Sequence, residues 1–174
     1  MLDYKNKKIR ISIINLKLNN IYSIYNALDE CGYKVNIIDD KVKKISSDII
    51  IIPGVGSFPK AMNFIKKKYL DKTIEEFNSK KKPIIGICLG MQLLFEKSNE
   101  FSNCKGLSLI QGEVTKIENK NLRVPNIGWN KIKLLKKSQI IKNSFNNNFF
   151  YFVHSYHCKP KNLKNILSLT NLNK

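Results

Sequence analysis

Cys88 stands between two glycines in Gly86-Ile87-Cys88-Leu89-Gly90. The pattern G-x-C-x-G is the thiol form of the turn that holds a nucleophile at a sharp strand-to-helix corner. Residues beside such a corner must be small, because the strand and helix backbones approach each other closely there. Upstream, Pro83-Ile84-Ile85 reads as a buried apolar strand; downstream, Met91, Leu93, Leu94 and Phe95 read as the apolar side of an amphipathic helix. A helix starting just after Cys88 aims its first N–H groups at the sulfur, an arrangement that favours the thiolate, the form that attacks acyl carbons. A cysteine among apolar residues is more often a packed core thiol. A core thiol needs neither glycine, however, and the strand, corner and helix together point to a nucleophilic thiol.

The elements that must position this corner alternate in type. Residues 9–15 form an apolar, β-branched run that predicts a strand. Residues 21–32 carry Ile21, Ile24, Tyr25 and Leu28 at helical spacing and close on Gly32 as a C-terminal cap. Strands are predicted at 33–39 and 48–52, the second apolar at consecutive positions as a strand covered on both faces should be. Helices follow at 59–68 and 70–79, then the strand leading to Cys88. Such alternation predicts an α/β fold with a mostly parallel central sheet. In sheets of this kind the site lies beyond the C-terminal strand ends, where Cys88 and Pro53-Gly54-Val55-Gly56 both fall.

After Glu100 the rhythm changes. Short alternating stretches at 107–110 and 114–117, a turn-rich Pro125-Asn126-Ile127-Gly128-Trp129-Asn130 and an aromatic strand at 149–155 predict antiparallel pieces that extend the parallel core. Asn146-Asn147-Asn148 reads as a surface turn. No internal repeat is present.

With 174 residues, 43% of them hydrophobic, the chain suits a single domain over residues 1–174. No apolar run approaches the ~20 residues of a membrane span. The basic start, with Lys5, Lys7, Lys8 and Arg10, runs straight into a strand, so a soluble, cytoplasmic protein is expected. Cys31, Cys88, Cys104 and Cys158 are scattered without a C-x-x-C pair, which argues against a disulfide framework and against a zinc site. No metal or other cofactor is expected. The formal charge of +18 invites a nucleic-acid partner, but it comes from 29 Lys against only Arg10 and Arg123, alongside 22 Asn and 25 Ile. That is a compositional bias spread over the whole chain, nearly without the residue that reads phosphate and guanine in bidentate fashion, and no nucleic-acid partner is expected.

Four stretches taken together carry a resemblance: the corner at Cys88, Pro53-Gly54-Val55-Gly56-Ser57-Phe58, Pro125-Asn126-Ile127-Gly128-Trp129-Asn130 and Tyr151-Phe152-Val153-His154-Ser155-Tyr156. In this order and over nearly the whole chain they resemble the HisH family of class I glutamine amidotransferases, the glutaminase subunits of imidazole glycerol phosphate synthase. The resemblance implies a flavodoxin-like three-layer fold and hydrolysis of glutamine through a thioester. The ammonia would pass to a HisF-type cyclase partner of (β/α)₈ fold, in histidine biosynthesis. It further implies roles for single residues. Cys88 would be the nucleophile, while the loop of Gly54 and Gly56 and the Leu89 N–H would face the developing oxyanion. Gln92 would hydrogen-bond the bound glutamine, the Ser155–Tyr156 backbone would hold its α-carboxylate and amine, and Asn126 and Trp129 would face the cyclase near the ammonia passage.

Two departures accompany the resemblance. The family's thiol is activated by a His and a Glu from a downstream His-Pro-Glu motif; here the histidines are His154 and His157, neither followed by Pro-Glu, and no acid follows Glu118. Loss of a positioned base typically costs about 10²–10⁴-fold, so glutaminase activity is expected to suffer unless His154 is recruited, and an incomplete amidotransferase fold of poor stability, lacking its last strands and closing helix, is expected. The second departure is Asn15-Leu16-Lys17-Leu18-Asn19-Asn20 in place of Asp-Tyr-Gly-x-Gly-Asn. Lys17 takes a glycine's positive φ only at a cost, so the first loop is expected to differ. These departures leave open a paralogue feeding a surface-glycan sugar amidotransferase, or a non-catalytic remnant that binds a partner.

Overall fold

The computed structural model describes residues 9–17, 21–39, 45–118 and 124–170. The first half runs β1 (Arg10–Ile14), α1 (Ile21–Glu30), β2 (Lys34–Ile38), β3 (Ile49–Ile52), α2 (Phe58–Lys67), α3 (Leu70–Ser79) and β4 (Ile84–Gly86). Its strands pair in parallel in the order β2-β1-β3-β4. The four isoleucines of β3 explain the layering, because successive side chains point to opposite faces. Ile50 and Ile52 pack with Phe58, Met62 and Ile65 of α2 and with Leu70 and Ile74 of α3. Ile51 packs on the other face with Ile11, Ile13 and Ile21, where Ile24 and Leu28 of α1 close over it. Gly32, at φ +80°, ends α1 as expected: its N–H donates to Asp29 O and the Tyr33 N–H to Leu28 O.

Two expectations fail in this half. β4 is an edge strand, pairing with β3 alone among the described residues, and Ile85 and Ile87 are 45% and 40% exposed rather than buried. Lys17 does adopt the left-handed conformation, at φ +57°. The Asn15 side chain accepts from the Lys17 N–H at 2.9 Å, and the Lys17 ammonium pairs with Asp39 at 2.9 Å. Those contacts offset a conformational cost of about 1–2 kcal/mol. Leu18, Asn19 and Asn20 of the same stretch lie outside the described residues.

The second half holds α4 (Leu89–Leu93), β5 (Phe95–Ser98), β6 (Cys104–Lys105), β7 (Ile110–Lys116), β8 (Asn126–Leu134), β9 (Phe149–His154), β10 (Tyr156–Pro160) and β11 (Ser168–Thr170). They form two sheets, β10-β7-β5-β6 and β11-β8-β9, antiparallel except for the β5–β7 pair. The helix after Cys88 stops two residues short of Phe95. Its last carbonyls are taken by an incoming segment: Leu107 N–H donates to Leu93 O, and Leu109 and Ile110 N–H to Leu94 O, at 2.8–2.9 Å. Phe95 then begins a strand and enters the core, 4% exposed. For the same reason 107–109 is a connector, and only Ile110 starts β7, which takes in 114–116 as one strand. The stretch expected to turn at 125–130 is the start of the nine-residue β8, joined to β9 through the exposed Asn146–Asn148 turn. Among the described residues no helix is long and apolar enough to cross a membrane.

Candidate active site

The corner at Cys88 is built by contact between backbones. A Cβ on Gly90 would sit 1.7 Å from the Ile52 carbonyl oxygen, and one on Gly86 would sit 2.5 Å from Met91 Cα. Both glycines are therefore steric requirements of the β4–α4 turn. The turn is locked by the Ile87 N–H donating to Ile52 O at 3.0 Å and the Gly90 N–H donating to Ile87 O at 2.9 Å. Cys88 itself is forced to φ +53°, ψ −114°. A side-chain-bearing residue in so sparse a region stores about 1–3 kcal/mol and persists only where its surroundings over-determine it. The strain leaves the thiol exposed. With five residues α4 is little more than one turn, so its contribution is the Leu89 N–H at its head, free of an intrahelical acceptor, more than a long macrodipole.

Cys88 opens onto a cleft of about 320 Å³. Gly56, Leu89, Gln92, Ser155 and Tyr156 all line it, so five of the residues singled out around the thiol converge on one space. Gly54 sits behind the corner instead, where an added Cβ would meet Leu89 Cβ at 2.9 Å. Gly56, at φ +106°, reaches the cleft together with its neighbour Val55. The Ser155–Tyr156 step is where the chain leaves β9 for β10 and so passes from one sheet to the other. The Ser155 carbonyl accepts from Ile117 N–H at 2.9 Å, and Gln92 Nε2 donates to the Tyr156 carbonyl at 3.4 Å.

Glu100, Val55, Pro125, Val153 and His154 complete the lining. Among the described residues Glu100 is its one carboxylate, and none of the described lysines or arginines lines the cleft. Its carboxylate accepts from the Phe58 N–H at 2.7 Å, at the head of α2. Nothing in the local sequence marks Glu100, because the contact spans 42 residues. His154 is not placed to serve Cys88 as a base: its Nδ1 lies 2.9 Å from the Tyr156 carbonyl and its Nε2 3.0 Å from Asn126 Nδ2. Cys158, two residues beyond Tyr156, has its thiol pushed up to about 12 by burial and, second, by the nearby Cys88. His157 is exposed. Among the described residues no three His, Cys, Asp or Glu side chains gather as a metal would require.

Asn126 and Trp129 part company on β8. Asn126 faces the half-buried side and bonds to His154, whereas Trp129 is 66% exposed on the other face. There the β8–β9 register stacks Ile127 with Val153, Trp129 with Tyr151 and Lys131 with Phe149. The Trp129 and Tyr151 rings meet edge to face at 5.6 Å, and Lys131 Nζ lies 5.2 Å from the Phe149 ring centre. Val153 belongs both to this exposed ladder and to the cleft, so the two surfaces are continuous.

Comparison with known proteins agrees with this geometry. Residues 12–174 match the family described as glutamine amidotransferase class-I. The chain is 42% identical over 152 residues to the imidazole glycerol phosphate synthase subunit HisH of Bacillus mycoides (strain KBAB4), covering 87% of this chain and 72% of that protein. It is 40% identical, with the same coverage, to the HisH subunit of Bacillus cereus (strain AH187). Among solved structures, a glutamine amidotransferase aligns with a TM-score of 0.69 over 91% of this chain and 78% of that one, at 12% identity. PurLQS from Thermotoga maritima aligns with a TM-score of 0.69 over 96% and 77%, at 18% identity, a likeness of fold. A strained cysteine between two sterically required glycines, in a chain matched this far along its length, belongs to the class I glutamine amidotransferases and, among them, to the HisH family.

Proposed function

We propose that this chain is the glutaminase subunit of an imidazole glycerol phosphate synthase, releasing ammonia from glutamine for a cyclase partner in histidine biosynthesis. The observation that carries the reading is the strained, exposed Cys88 at the mouth of a cleft whose other polar groups suit a free amino acid. The Cys88 thiolate attacks the side-chain amide carbon. The carbonyl oxygen takes up the charge facing the Leu89 N–H and the Gly56 loop, where each well-aimed donor is typically worth about 3–4 kcal/mol. Collapse of the tetrahedral species, with a proton taken from solvent water by the leaving nitrogen, expels ammonia and leaves a thioester. Water then cleaves the thioester to glutamate and restores the thiol. Gln92 and the Ser155–Tyr156 backbone orient the substrate, and Glu100, the one carboxylate among the described lining residues, takes its α-ammonium group.

The partner is a (β/α)₈ cyclase that seats on the ladder of Ile127, Trp129, Tyr151 and Val153. An exposed apolar stripe of this kind marks a protein interface, and its continuity with the cleft at Val153 gives ammonia a covered exit. Glutamate release, measured with the partner subunit present, is expected to fall to background in Cys88→Ala. Equal release by the two proteins would remove the enzymatic reading.

A further inference from the structure

His154 belongs to a chain of side-chain hydrogen bonds that the glutaminase reading leaves without a purpose. Its Nδ1 lies 2.9 Å from the Tyr156 carbonyl oxygen, which can only accept, so Nδ1 carries the proton. In the neutral ring Nε2 is then an acceptor, and Asn126 Nδ2 donates to it at 3.0 Å. Asn126 Oδ1 in turn accepts from Asn130 Nδ2 at 3.2 Å, and Asn130 is buried, 6% exposed. The ring is thereby fixed in both tautomer and orientation. The Tyr156 carbonyl receives a second donor, Gln92 Nε2, at 3.4 Å. Two donors from separate elements, β9 on one side and α4 on the other, hold one peptide group at the step where the chain changes sheets.

We propose that His154 is a positioning residue for substrate: it fixes the Tyr156 peptide and, with it, the backbone and the Gln92 amide that receive glutamine. This rests on the glutamine reading of the cleft. A residue in this role affects binding of substrate and transition state alike, so its loss raises KM and leaves kcat nearly unchanged. Two substitutions separate the ring's two nitrogens. Asparagine places an N–H donor where Nδ1 stands but cannot reach Asn126; glutamine reaches the Nε2 position and leaves the Tyr156 carbonyl with the Gln92 donor but none from residue 154.

In the complex with the partner subunit, His154→Ala and His154→Gln are expected to raise the KM for glutamine about tenfold, the order of one buried hydrogen bond, with kcat within about twofold. His154→Asn is expected to restore KM to within about threefold of the unsubstituted protein. A second readout follows covalent capture of Cys88 by a diazoketone analogue of glutamine, measured by mass, with iodoacetamide as a probe that needs no substrate site. Analogue capture is expected to slow in His154→Ala and His154→Gln while iodoacetamide capture stays constant. If all variants share the unsubstituted KM and capture rate, or if asparagine rescues no better than alanine, the positioning role is overturned. If the unsubstituted protein reacts with iodoacetamide but ignores the analogue, the glutamine reading falls and this proposal falls with it.

Discussion

The β2-β1-β3-β4 sheet and the β8–β9 ribbon are both rich in apolar side chains and use them in opposite ways. In the parallel sheet, both faces of β1 and β3 are covered, and Ile13, Ile14, Ile50 and Ile52 have no exposed surface. In the ribbon, Ile127, Trp129, Phe149, Tyr151 and Val153 line one face and each is more than half exposed. Covered strands make a rigid frame able to hold a strained thiol; an uncovered ribbon beside it offers area to another protein. The cleft is lined from both: by Cys88 and Leu89 just after β4, and by Val153 to Tyr156 at the end of β9.

The sharpest way to break this contrast is a single methyl group on each side of it. Gly90→Ala drives a Cβ into the Ile52 carbonyl at 1.7 Å, with rigid backbone on both sides. The expected result is loss of soluble folded protein, or destabilisation of about 4 kcal/mol or more by chemical denaturation. The same substitution at Gly128 of β8, where no atom lies within 4 Å of an added Cβ, meets no such clash. Gly128 has φ +147°, so a strain cost remains, but the protein is expected to fold. If Gly90→Ala folds with unchanged stability, the corner is looser than its geometry requires.

The same contrast governs how much of the molecule was legible in its sequence. The parallel half was readable almost element by element, since Ile49–Ile52 and the period of α1 encode burial locally. The antiparallel half was not: Asn126, Gly128 and Asn130 are turn formers by type, yet pairing with β9, up to 28 residues away, makes them strand. The helix after Cys88 is shorter than its apolar period suggests, because its end is set by carbonyl bonds to Leu107, Leu109 and Ile110, which no helical period announces. In the site, Cys88 and its glycines signalled themselves through spacing. Glu100 and the His154–Asn126 bond arise only from long-range contacts.

Thiol chemistry gives a second contrast, between Cys88 at the surface and Cys158 on the core side of β10. Burial raises the Cys158 thiol from its ordinary 9.0 to about 12. At pH 8 its thiolate fraction is lower by about a thousandfold than in the unfolded chain, so iodoacetamide should modify the exposed Cys88 and leave Cys158 unmodified in the folded protein. The linkage has a definite sign. The folded state keeps the proton that the unfolded chain releases, so this contribution to stability is intact below pH 9 and is lost as pH rises toward 12. Denaturation at pH 8 and pH 10 should show the decline, and its absence in Cys158→Ser would assign it.

On the ribbon, Trp129→Ala should leave stability nearly unchanged, since the side chain is two-thirds exposed. It should weaken binding of the partner subunit by about thirtyfold, the scale of a central aromatic anchor. Unchanged affinity in a titration would move the interface elsewhere.

The smallest effect tests the junction between the two regions. Glu100 reaches the cleft from the loop after β5 and also caps α2 through the Phe58 N–H, so deleting the side chain would confuse binding with stability. Glu100→Gln separates them: the amide oxygen still accepts from Phe58, while the negative charge is gone. Loss of a charge-assisted contact to the α-ammonium group should raise the KM for glutamine about tenfold at constant kcat and constant thermal stability. The loss should also be selective for substrates that carry that group, so a glutamine analogue without its α-amine should bind both proteins equally. An equal change for both substrates would assign Glu100 to the shape of the cleft instead of its charge.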